Sequence, residues 1–124
     1  MKALVSTARA LSDSSRVRIL FALRGRELCV CELCDSLAMT QSTLSTHLQV
    51  IRRAELVSAR KEGKWMYYRI APETEALLDQ LFRSFSSSLK KDPVLSRDAK
   101  KLKARLCLRN GDSCCIGFSG RGCK

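Results

Sequence analysis

Three thiols lie within six residues in the segment Glu27-Leu28-Cys29-Val30-Cys31-Glu32-Leu33-Cys34. Packing does not explain that density, because cysteine is rare and these spacings do not make one buried face. Three thiolates without histidine or carboxylate partners select soft ions and disfavour magnesium, calcium and the usual catalytic zinc. Arsenic(III) and antimony(III), which favour a trigonal pyramid of sulfurs, fit best. Cadmium, lead or a cysteine-rich zinc site would want a fourth sulfur, for which the tail is the only nearby source. There Cys107, Cys114, Cys115 and Cys123 form a second cluster that could wrap a soft ion of its own.

The helix carrying these thiols is expected from Cys31 to Leu37, with Leu33 and Leu37 facing inward. On it Cys31 and Cys34 are three residues apart and can meet on one face. Cys29 precedes Cys31 by two residues, about 200° of helical rotation, so its sulfur should point away. A three-sulfur ligand would then have to deform the first turn, and ligand binding would compete with an intact helix.

The chain has 124 residues, 45% of them apolar, enough for one compact domain with a single core. A formal charge of +11 favours an extended anionic partner, and nucleic acid leads. The seven cysteines are odd in number, no secretion signal is visible, and no apolar run could span a membrane. Reduced thiols in a cytoplasmic protein, with no membrane partner, are therefore expected.

The thiol helix is preceded by Leu4, Ala8 and Leu11 at helical spacing, then by a second helix through Val17, Leu20 and Leu23 that Gly25 ends. After Ala38-Met39-Thr40, a helix from Gln41 to about Arg53 buries Leu44, Leu48 and Ile51. It leaves Gln41, Ser42, Thr43, Ser45, Thr46, His47 and Gln49 outward. Two helices joined by a short turn, the second presenting short polar side chains, make a helix-turn-helix over about 31–53. Those side chains can read base edges in the major groove, while Arg52, Arg53, Lys61, Lys64 and Arg69 neutralise phosphates. His47, the only histidine, reads as a phosphate or base contact rather than a metal ligand.

Residues 56–70 read as a β-hairpin turning at Glu62-Gly63, a wing with a basic tip. A helix over 73–89 then carries Leu77, Leu78, Leu81, Phe82, Phe85 and Leu89 on a wide apolar face, wider than one small core needs. One recognition helix reads only a few base pairs, so a homodimer on double-stranded operator DNA with two-fold symmetry is expected. Asp92-Pro93 starts a basic helix with the stripe Leu95, Ala99, Leu102 and Leu106. The fold class is mainly α with a small β-hairpin, a winged helix-turn-helix. Residues 1–90 form the DNA-binding and dimerisation domain, and 91–124 a basic helix with a Cys- and Gly-rich tail.

These residues resemble the arsenical-resistance operon repressors of the ArsR/SmtB family. The resemblance rests on Leu11-Ser12-Asp13 with Arg16 to Leu20, the ELCVCELC segment, Ser45 to Leu48, and Glu62-Gly63-Lys64-Trp65 with Tyr68-Arg69. It covers roughly residues 3 to 75 and implies a winged-helix homodimer that blocks its own operon until arsenite or antimonite binds Cys29, Cys31 and Cys34. In that family two of the three thiols can suffice. Relatives that sense cadmium or lead add cysteines near the N-terminus, and this chain has none before Cys29. Zinc-sensing relatives use histidine on the long helix near the C-terminus, and residues 73–89 hold none.

Alternatives remain at this level: a cadmium-, lead- or organoarsenical-responsive repressor of the same fold, a thiol redox protein using the Cys31-x-x-Cys34 pair, or a structural zinc module joining both clusters. No nucleophile, base and orienting group converge, no phosphate loop follows a strand, and no cofactor is expected for folding; enzymatic activity is not expected.

Overall fold

In chain order the elements are α1 (Lys2–Leu11), α2 (Ser14–Ala22), β1 (Leu28–Cys29), α3 (Val30–Leu37), α4 (Gln41–Arg53), β2 (Val57–Glu62), β3 (Trp65–Ile70), α5 (Pro72–Ser84), α6 (Ser86–Lys91) and α7 (Pro93–Leu106). They come from a computed structural model that describes residues 1–109. Short polar side chains set the helix starts. The Asp13 carboxylate accepts from the Ser15 and Arg16 amides, Thr40 from that of Thr43, and Asp92 from those of Val94 and Leu95, with Pro93 at the first helical position. Ala38 opens the turn between α3 and α4 in the left-handed region, at φ 54°.

Apolar side chains from most of these elements meet in one core. It takes Ile19, Leu20 and Leu23 from α2 and its end, Leu33 and Leu37 from α3, Leu44, Leu48 and Ile51 from α4, Leu78 and Phe82 from α5, and Leu102 from α7. The Phe82 ring stands edge-on to Phe21 with centroids 5.2 Å apart.

The wing pairs β2 with β3 from Val57↔Ile70 to Glu62↔Trp65, and Gly63 takes φ 59° in the two-residue loop that closes it. The expected hairpin is joined by a third strand: β1 pairs antiparallel with β3, Leu28 opposite Tyr68 and Cys29 opposite Tyr67, so the order is β1-β3-β2. A two-residue strand has no periodicity to betray it.

The single helix expected over 73–89 is broken at Phe85 into α5 and α6. Serine hydroxyls bond back to carbonyls on either side of the break, Ser84 to Gln80 and Ser88 to Phe85, competing with the helical ladder. The break divides the apolar face. Leu78 and Phe82 enter the core, whereas Leu77 and Phe85 stay exposed.

The basic helix α7 does not stand apart from this body. Arg18 of α2 donates through Nε to Asp98 at 2.7 Å and through Nη2 to the Leu37 carbonyl at 2.6 Å, tying α7 to the end of α3. Leu102→Ala should therefore lower the unfolding free energy by about 2–4 kcal/mol in urea titrations, whereas an unchanged midpoint would mean that α7 is not part of the cooperative core.

Candidate thiol site and nucleic-acid interface

Cys29 closes β1 and caps α3, and its extended backbone, φ −84° and ψ 166°, stands outside the helical rotation. The expectation that its sulfur points away from Cys31 therefore fails. The two sulfurs lie 2.7 Å apart, in contact without a disulfide bond. They share a small cluster with the Tyr67 ring, and Trp65 packs against it. Neither needs the first turn of α3 to unwind in order to meet the other.

Cys34 is buried in the main core instead, separate from that pair. A helix that buries Leu33 and Leu37 carries Cys34 inward, while Cys31 turns toward β3 and α7. Among the described residues no group of three or more histidine, cysteine or acidic side chains is placed to hold a metal ion. The expected three-sulfur set is thus present as a pair with an outlying third member. Of the second cluster, Cys107 is exposed at the end of α7; Cys114, Cys115 and Cys123 lie outside the described residues.

Around the pair is a charged frame that sequence reasoning missed. Glu32 is fully buried, and its Oε1 accepts the Cys29 amide at 3.0 Å. Arg109, in the turn after α7, donates to both its oxygens at 2.5 and 2.7 Å and to the Glu27 carbonyl at 2.7 Å. Arg105 donates Nε to Asp35 at 2.8 Å and brings Nη2 to 3.7 Å from the Cys31 sulfur. The one legible signal was Glu32 three residues after the cap, the spacing of a capping box. Nothing in the basic run 97–109 marks Arg105 and Arg109 as inward-facing.

The charges and protons follow from these contacts. Contact with Cys31, and then burial, push the Cys29 thiol above its usual range. Burial, helped by Asp35, pushes Cys34 up to about 11. Burial alone would raise Glu32, but the hydrogen bonds from Arg109 and the Cys29 amide outweigh it and hold the carboxyl below the ordinary range.

The recognition face is set by the buried stripe of α4. Gln41, Ser42, Thr43, Ser45 and Thr46 are exposed on the opposite side, with Arg52 and Arg53 at its end, and Lys61, Lys64 and Arg69 are exposed on the wing. His47 departs from expectation. It is half-buried, with Nδ1 3.4 Å from Arg16 Nη1, while Arg16 also donates to the Ala10 and Arg9 carbonyls. Its position suits bracing α4 against α1 and α2.

The chain is similar to known proteins. Residues 13–59 match the family described as bacterial regulatory protein, arsR family. The chain is 36% identical over 95 residues to the arsenic resistance transcriptional regulator ArsR1 of Pseudomonas putida, spanning 76% of this chain and 73% of that one. It is 38% identical over 80 residues to the arsenical resistance operon repressor of Escherichia coli, spanning 60% and 68%. A homodimeric winged helix-turn-helix DNA-binding domain from Mycobacterium bovis superposes with a TM-score of 0.66 at 30% identity, over 74% of this chain and 86% of that one.

Two outcomes are expected. Because the Glu32 carboxyl is depressed on folding, its contribution is complete above its unfolded value of about 4.5 and is lost as pH falls through the lower folded value. Wild type should lose stability over that acid range more steeply than Glu32→Gln, and Glu32→Ala should cost about 3 kcal/mol at neutral pH; parallel pH profiles would argue against the pairing. Replacing Lys64 by Gln should reduce the slope of log K against log salt for operator binding by about one, with little change in sequence preference.

Proposed function

The chain belongs to the ArsR family of bacterial regulatory proteins and is a DNA-binding transcriptional repressor of that family, and from that premise we propose that it leaves its operator when arsenite or antimonite bonds to Cys29 and Cys31. The observation that carries this reading is the meeting of two thiol sulfurs at a buried point where β1, α3, β3 and α7 join. Cys34 is the reserve third ligand, reached only if the turn of α3 that carries it rotates out of the core.

Arsenous acid suits protonated, buried thiols. Each thiol displaces one hydroxyl from arsenic: an As–O bond and an S–H bond break, an As–S bond forms, and the thiol proton leaves on the hydroxyl as water. Two such exchanges give a dithiolate arsenic that keeps its third hydroxyl, with two waters released and no proton left over. A divalent cation on the same sulfurs would have to expel two protons into solvent, against the contact and burial that hold the Cys29 proton. The inducer is therefore a metalloid ahead of cadmium or lead. A second reading, a monosubstituted organoarsenical, is favoured by the pairing itself, since such a compound needs only two sulfurs.

Release follows from where the pair sits. Cys29 is joined to the wing through its pairing with Tyr67, and Cys31 to the recognition helix through α3, which packs on α4. A trigonal-pyramidal arsenic holds two sulfurs wider than their present contact, so its binding parts them and shifts both elements, and the ligand biases the protein away from the DNA-bound form by its differential affinity. Gln41, Ser42, Thr43, Ser45 and Thr46 read bases; Arg52, Arg53, Lys61 and Lys64 hold phosphates. A second copy of the chain is expected to cover the exposed apolar side chains, Leu4 and Val5 on α1 and Leu77 and Phe85 on and after α5.

Fluorescence anisotropy of the reduced protein on labelled DNA from upstream of its own gene tests this. Arsenite should release the wild type and Cys34→Ser, and should leave Cys29→Ser and Cys31→Ser bound. Continued binding of the wild type at saturating arsenite would overturn the proposal.

A further inference from the structure

One buried and one partly buried guanidinium group, Arg105 and Arg109, reach the thiol pair from far along the chain, and the role above does not use them. Arg105 is only 5% exposed. Its Nε is fixed by Asp35 and its Nη2 faces the Cys31 sulfur, from 74 positions away in sequence. Arg109 grips Glu32 across 77 positions, and the carboxylate in turn holds the Cys29 amide. Each sulfur thus has its own tether: Cys31 by a direct N–H···S contact, Cys29 by a backbone hydrogen bond relayed through one carboxylate.

We propose that α7 and the turn after it supply the outer shell of the thiol site, with Arg105 and Arg109 as positioning residues that set its affinity for the metalloid. The inference rests on the reading of Cys29 and Cys31 as ligands and assigns what holds them in place. Two sulfurs kept in contact lose little freedom when one ion takes both, whereas an unheld pair must first be ordered. Groups that orient first ligands in this way commonly change metal affinity by about 10–100-fold when removed. Guanidinium is suited to both tasks, donating to a carboxylate as a fork and to sulfur without accepting anything back.

The frame reaches the rest of the protein through α7, which Arg18–Asp98 and Leu102 seat on α2, the end of α3 and the core. Side chains that pin the sulfurs should therefore alter the response to inducer far more than they alter operator binding in its absence. That separation distinguishes positioning from a general loss of structure.

Trp65, the single tryptophan, packs against the pair and reports on it directly. Arsenite is titrated into the full-length reduced protein with Trp65 emission as the readout, for the wild type, Arg105→Gln, Arg105→Lys, Arg109→Gln and Cys29→Ser. Operator affinity without arsenite is measured alongside. Arg105→Gln and Arg109→Gln should each weaken arsenite binding by at least about tenfold, with operator affinity kept within about threefold, and Arg105→Lys should recover part of the loss. The proposal is overturned if both glutamine variants bind arsenite within about threefold of wild type, or if arsenite and operator affinity fall together. Should Arg109→Gln fail to fold, the Arg105 pair decides by the same criteria. Arsenite binding undiminished in Cys29→Ser would instead reject the thiol reading itself.

Discussion

A carboxylate removed from water has to be neutralised where it stands, and Glu32 meets that requirement with partners from two distant parts of the chain. Its oxygens take the Cys29 amide and the Arg109 guanidinium, so one buried ion pair joins the end of β1, the start of α3 and the turn after α7. Leaving either partner alone would strand a charge in a low-dielectric interior. Much of the geometry around the thiols follows from this condition: Cys29 is kept extended, its sulfur falls beside that of Cys31, and the last turn of α7 is drawn over both.

The same junction places a small chemical event next to both DNA-reading elements. β1 is only two residues long, yet it adds an edge to the wing sheet and ends on a candidate ligand. α3 begins on the other ligand's doorstep and ends at the turn that launches α4. A buried pair at such a node need not transmit a signal through a long path, because both elements are already bonded to it. Packed interiors change arrangement discretely rather than bending smoothly, which suits a repressor that must be either on or off its operator.

The recognition helix was legible because its buried face repeats at the helical period. Leu44, Leu48 and Ile51 required Gln41, Ser42, Thr43, Ser45 and Thr46 to be outside, and the helix start at Asp92-Pro93 followed from residue type alone. His47 is less exposed than its spacing implied because periodicity assigns a face and not a neighbour: Arg16, contributed by α2, stands beside it. The long helix over 73–89 was overextended because its apolar spacing continues past the serines that interrupt it.

What the chain determined by itself, then, was a helix-turn-helix with a basic wing and a cluster of soft donors, since each of these depends on local spacing and side-chain chemistry. Only the tertiary structure decided which donors meet. Helical geometry paired Cys31 with Cys34, but Cys29 lies outside the helix and is placed by its pairing with Tyr67, while Cys34 is claimed by the core that Leu33 and Leu37 define. The arginines that frame the pair were also invisible beforehand, because a buried guanidinium is identified by the carboxylate and the sulfur it faces, and those lie 70 or more residues away.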